Sequence, residues 1–123
     1  MLLNLTDLSD EPLQGQISRQ IRALILAGDI TAGEGLPSIR ALARDQKVSV
    51  ITVQRAYEQL IHEGVIHARR GKGYFVSELE DKEKTALAQT RLRETLHRPV
   101  KAAVAEGLSA DTIHAVVQTI IEE

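Results

Sequence analysis

The apolar positions of this chain change period several times, and each change marks an element. Leu13, Ile17, Ile21, Leu24 and Ile25 recur at helical spacing and predict one buried helix face. Pro12 suits the first position of that helix, where a missing N–H costs nothing, and Gly28 suits its stop. Met1 to Glu11 lacks a clear period and ends in the acidic pair Asp10-Glu11. Asp29 to Leu36 holds Gly33 and Gly35 and reads as a loop with room for a short strand. Ser38 is placed to cap a short helix that carries Ile39, Leu42 and Ala43 on its buried side and ends near Gln46. Lys47-Val48 form a tight connection. Ser49 is a second cap, and a third helix runs to His62 with Val53, Ala56, Tyr57, Leu60 and Ile61 on one face. Glu63-Gly64 closes it.

After Gly64 the helical period stops. Val65 to Arg69 and Tyr74-Phe75-Val76 are of strand length and flank Arg70-Gly71-Lys72-Gly73, a glycine-rich cationic turn. This is a β-hairpin. Glu80 to Lys84 is charged and linker-like. Leu87, Leu92, Leu96, Val100, Ala103 and Val104 then predict a long helix, with a kink or break near Arg98 because Pro99 interrupts it. Gly107 ends it. Ser109 caps a last helix with Ile113, Val116, Val117, Ile120 and Ile121 on its apolar side.

Two short serine-capped helices joined by a tight turn and followed by a basic hairpin make a winged helix-turn-helix. The expected fold is therefore mainly α with a small β-hairpin: a winged helix-turn-helix over residues 1–78, then a two-helix tail over residues 79–123. Aromatics make up only 2% of the chain, so the core must be aliphatic, which suits packed helices. The absence of cysteine excludes disulfides and thiolate metal sites. No charged segment followed by an apolar one opens the chain, and no apolar run spans a bilayer, so a cytoplasmic location without a membrane partner is expected.

The net charge of −2 argues weakly against nucleic acid, but the local charge says otherwise. From Ser38 to Gly73 seven basic residues (Arg40, Arg44, Lys47, Arg55, Arg69, Arg70, Lys72) face three acidic ones (Asp45, Glu58, Glu63), an excess of four positive charges. That is the footprint of a domain that meets phosphates through one face. In the third helix the side opposite the core carries Ile51, Arg55, Glu58 and His62, flanked by Val50, Thr52 and Gln54 near the end that reaches base edges. An exposed Ile51 is either an ordinary surface residue or a contact for a thymine methyl; the motif favours the second. Arg69, Arg70 and Lys72 crowd the hairpin tip, where Gly71 and Gly73 let the backbone approach a minor groove or its phosphates.

His62, His67, His97 and His114 are scattered, with no metal-ligand spacing, and Ser38 and Ser49 are accounted for as caps. No metal, no cofactor and no enzymatic activity are expected.

Leu36-Pro37-Ser38-Ile39-Arg40-Ala41-Leu42-Ala43, Val48-Ser49-Val50-Ile51-Thr52-Val53, Ala56-Tyr57-Glu58-Gln59-Leu60, Glu63-Gly64 and Arg70-Gly71-Lys72-Gly73-Tyr74-Phe75-Val76 follow one another in an order that closely resembles the GntR family of bacterial regulators. The short tail resembles the YtrA-type subfamily, whose members dimerise through two such helices. The resemblance implies that Arg40 contacts DNA, that Ser49 and Thr52 touch the backbone, that Val50, Ile51 and Gln54 read bases, and that Arg70 and Gly71 form the wing tip. Ser38, Arg55, Arg69 and Lys72 complete the expected DNA-binding set. Many relatives carry arginine where this chain has Val50; arginine would read guanine and valine cannot, so an apolar contact with thymine suits Val50-Ile51 better.

The expected function is a dimeric repressor or regulator of transcription that binds double-stranded DNA at an inverted repeat. Leu92, Leu96, Val100, Val104, Ile113, Val116, Val117, Ile120 and Ile121 are the expected dimerisation residues, because two helices alone enclose too little volume to bury them. Two alternatives stay open: a winged helix used for protein or RNA contacts, and a piece of a larger regulator fused to an aminotransferase-type enzyme, against which the last helix, ending in Glu122-Glu123, reads as complete. An effector site either lies at the dimer interface or is absent.

Overall fold

The computed structural model describes every residue, Met1 to Glu123. Its elements are α1 (Leu13–Leu26), α2 (Ile39–Gln46), α3 (Val50–His62), β1 (Ile66–Arg69), β2 (Gly73–Val76), α4 (Asp81–Ala105) and α5 (Ala110–Ile121). They fall into two compact units, Met1–Glu80 and Asp81–Glu123.

In the first unit Ile17, Ile21 and Ile25 are buried in a row on α1, and they meet Val53, Ala56, Tyr57 and Leu60 of α3 in one aliphatic core. Ile61, expected on that face, is 39% exposed, because its place on the helix carries it to the rim of the buried sector. Pro12 stands at the N-cap of α1 rather than inside its first turn. The aperiodic start is an arm tied to α1: Leu3 is buried, Gln16 donates to the carbonyls of Thr6 and Glu11, and Gln20 and Asn4 exchange two hydrogen bonds of 2.8 Å. Arg22, 4% exposed, reaches across to Glu63 at the end of α3 through bonds of 2.6 and 2.8 Å.

The turn between α2 and α3 is closed by its own chemistry. Ser38 accepts from the Ala41 N–H and Ser49 from the Thr52 N–H, so each helix starts on a side-chain cap. Lys47 takes the left-handed conformation (φ 57°, ψ 44°) that ends α2, and it is the one non-glycine residue with positive φ. The short connection from Lys47 to Ser49 follows from it.

β1 and β2 pair antiparallel, with Ile66 opposite Val76 and His67 opposite Phe75. Ile66 and Val76 point to the core, so His67, Arg69 and Phe75 share the other face. The strand allowed for in the α1–α2 loop is a single bridge, Gly35 to Phe75, supported by Leu36 N–H donating to Tyr74 and Val76 N–H to Glu34. Tyr57 fastens this loop to α3: its hydroxyl donates to the Pro37 carbonyl at 2.8 Å, and its ring meets Tyr74 edge-on at 4.9 Å. Burial, with Tyr74 beside it, pushes the Tyr57 phenol well above its ordinary pKa, so the donated proton stays in place.

In the second unit α4 runs unbroken through Pro99, which corrects the break expected near Arg98. Proline removes a single ladder bond, to the Thr95 carbonyl, and on an exposed helix water can take that acceptor. Gly107 turns the chain at φ 96°, and Ser109 caps α5 by accepting from the Thr112 N–H. Neither helix buries a residue. Leu96, Val100, Ala103, Ile113 and Val117 are half-buried, and α4 and α5 touch each other. No helix of the chain is long and apolar enough to cross a membrane.

Candidate nucleic-acid interface

The core side of α3 leaves the other side free. Val50 and Ile51 are 42% and 58% exposed, and Gln54 and Arg55 are exposed beside them. Thr52 is half-buried, and its hydroxyl shares a 2.7 Å hydrogen bond with that of Ser49. The cap thus fixes both hydroxyls at the helix start, where the free backbone N–H groups favour an anion. Ser38 spends its oxygen in the same way on α2, and Arg40 is exposed one residue into that helix.

Two contacts on these surfaces were not legible in the sequence. Gln54 Nε2 donates to Glu58 Oε1 at 3.2 Å, one turn further along the free side of α3. The second separates the wing cations. Arg69 belongs to β1, and its guanidinium lies 5.4 Å from the centre of the Phe75 ring. Arg70, Gly71 and Lys72 form the turn itself, closed by the Lys72 N–H donating to the Arg69 carbonyl. The expected cluster of three at the tip is therefore two exposed cations at the tip and one held back on an aromatic ring, an arrangement that attracts the cation electrostatically. Gly71 and Gly73 have φ of 74° and 105°, a backbone that side chains resist, so the tight turn needs both.

His67 completes this outer face, stacked on Phe75 at 6.2 Å with its Nδ1 3.0 Å from Ser77 Oγ. Strand alternation places His67 and Arg69 on one face of β1, and the register adds Phe75 to them. Arg40, Arg55, Arg70 and Lys72 enter no ion pair, so their charge is available to a ligand. No group of three or more histidine or carboxylate side chains comes together to hold a metal.

A capped helix with a free, partly apolar reading side, next to a cationic two-stranded wing, can lie in a major groove while the wing meets the flanking backbone. The comparisons agree with that geometry. The family model for bacterial regulatory proteins of the gntR family matches residues 13–76. The chain is 33% identical to the HTH-type transcriptional repressor YtrA of Bacillus subtilis (strain 168), over 91% of this chain and 86% of that one. A GntR family transcriptional regulator from Listeria monocytogenes superposes with a TM-score of 0.75 at 27% identity, covering 94% of this chain and 98% of that one. AraR(DBD), solved in complex with operator ORX1, superposes with a TM-score of 0.54 at 27% identity, over 61% of this chain and 93% of its own.

Proposed function

The chain belongs to the GntR family of bacterial regulatory proteins, in its YtrA-type branch, and from that premise we propose that it acts as a homodimeric repressor at an inverted-repeat operator. It is a DNA-binding transcription regulator with a winged helix-turn-helix, and its relatives are regulators rather than enzymes. Repression is inferred from the B. subtilis relative, which is a repressor.

The observation that carries the reading is the free side of α3. Val50 and Ile51 lie exposed at its capped start, beside Gln54 and Arg55. In this reading Val50 and Ile51 meet thymine methyl groups, Gln54 reads a base edge, and Ser49, Thr52, Arg40 and Ser38 hold the backbone. Arg55, Arg70, Gly71 and Lys72 meet phosphates, with Arg69 behind them at the base of the wing. The tail supplies the second copy. The cytoplasm is the working place, because that is where a bacterial chromosome is read.

A gel shift of the full chain with genomic fragments, run beside a pool of RNA of equal length, tests the reading. Retention of a few fragments against excess competitor DNA is expected. Equal binding of RNA, or binding of every fragment alike, would turn the winged helix into a module for another partner.

A further inference from the structure

We propose that Glu58 sets the base preference of α3, by holding the side-chain amide of Gln54 in the orientation that pairs with adenine. The inference rests on the reading of α3 as the helix that enters the major groove. A carboxylate there is unexpected. Glu58 is exposed, on the side of α3 opposite the core, among Val50, Ile51, Gln54 and Arg55. A surface that approaches phosphates gains nothing from a negative charge of its own. Arg55, three positions earlier on the same helix, does not neutralise it, since Arg55 enters no ion pair. The partner of Glu58 is Gln54, whose Nε2 donates to Oε1 at 3.2 Å.

That bond decides what Gln54 can still do. A glutamine amide has two N–H donors and one carbonyl acceptor. Glu58 accepts from one N–H and fixes which end of the amide is nitrogen. One N–H and the carbonyl remain for a base. Adenine offers an acceptor at N7 and a donor at its amino group, and matches that pair. Guanine offers two acceptors, N7 and O6, and would need both N–H groups, one of which Glu58 holds. Glu58 is therefore a positioning residue: it touches no base, and it removes the guanine-competent state of Gln54.

Selection from a randomised double-stranded DNA pool tests this with the full chain and its Gln54→Ala, Glu58→Ala and Glu58→Gln variants. Wild type is expected to enrich adenine over guanine at one pair of each half-site by roughly five-fold or more, the discrimination of a good bidentate contact. Gln54→Ala identifies that pair by losing the preference. Glu58→Ala loses it too, without loss of affinity for DNA at large, because an acid has left the surface. Glu58→Gln, whose amide can donate to Gln54 as well as accept from it, no longer fixes the flip and is expected to weaken the preference. A Glu58→Ala protein with unchanged adenine preference overturns the proposal, as does a lost cytosine preference at another pair, which would make Glu58 a direct reader. A wild-type chain that enriches no sequence would instead overturn base reading by α3 itself. Circular dichroism shows that each variant is folded; alanine and glutamine are both good helix formers at an exposed site.

Discussion

Arg22 and Glu63 lie 41 positions apart and meet in a two-pronged ion pair, with side chains 5% and 8% exposed. Neither was singled out by pattern: Arg22 sits between apolar positions of α1, and Glu63 reads as part of a helix end. Periodicity finds what is apolar, and a buried charge breaks its rule. Gln59 adds a 2.7 Å bond to the same carboxylate, so the acceptor is well supplied. Such a pair contributes little over an apolar pair of equal volume, yet losing one partner strands a buried charge. Arg22→Met or Glu63→Leu alone should cost about 3–5 kcal/mol, and the double replacement far less, in urea unfolding of the full chain. Equal costs for the singles and the double would mean that no such coupling exists. Arg40 belongs to the other kind of residue, exposed and unpaired, whose loss leaves stability alone. Arg40→Ala should weaken binding to all DNA sequences and lower the salt dependence by about one phosphate contact, while Gln54→Ala should cost roughly 1–3 kcal/mol at one base pair. Titrations at several salt concentrations separate the two, and an unchanged slope for Arg40→Ala would remove it from the backbone contacts.

The elements legible in the sequence are those whose signals are local. Ser38, Ser49 and Ser109 each accept from an N–H three residues on, and the caps fix the starts of α2, α3 and α5. Ser49→Ala should lower stability by about 1 kcal/mol and also free the Thr52 hydroxyl. Other local signals are overridden by their surroundings. Pro99 carries a strong breaker signal, but a helix exposed along its length loses one bond there and continues. The N-terminal arm has no period because side-chain amides of Gln16 and Gln20, rather than a buried stripe, hold it. On the wing, composition located the cations, and only the strand register shows that Arg69 faces Phe75 across from His67. Replacing Arg69, Arg70 and Lys72 together by alanine should leave the fold intact, since all three are exposed, and should lower operator affinity most at low salt. Restoring Arg70 and Lys72 should recover more than restoring Arg69, whose guanidinium is already engaged by the ring. Unchanged affinity of the triple variant at low and moderate salt would end the case for a wing contact.

At the scale of the molecule, the two units differ in what they bury. Every buried apolar residue lies in Met1–Glu80, and Asp81–Glu123 has none. The tail nevertheless carries Leu92 at 58% exposure, Val104 at 56%, Val116 at 51%, Ile120 at 58% and Ile121 at 70%. Leu96, Val100, Ile113 and Val117 of the same two helices are only half-buried. Two helices enclose too little volume to do better, and this much exposed apolar side chain on a short segment points to an interaction site. A second copy of the tail is the economical cover, because an isologous two-fold pairing buries both stripes at once. The same symmetry duplicates α3, which is why an inverted repeat is expected of the operator. Sedimentation of the full chain should therefore give a dimer. A chain ending at Leu79 keeps the whole buried core and should be a folded monomer with weak operator binding. In the full chain, Val116→Glu with Ile120→Glu places two carboxylates in the pairing surface and should also give a monomer, with the melting of the N-terminal unit unchanged. A truncated chain that remains dimeric with full affinity would move the interface to Met1–Glu80 and leave the apolar tail to another partner.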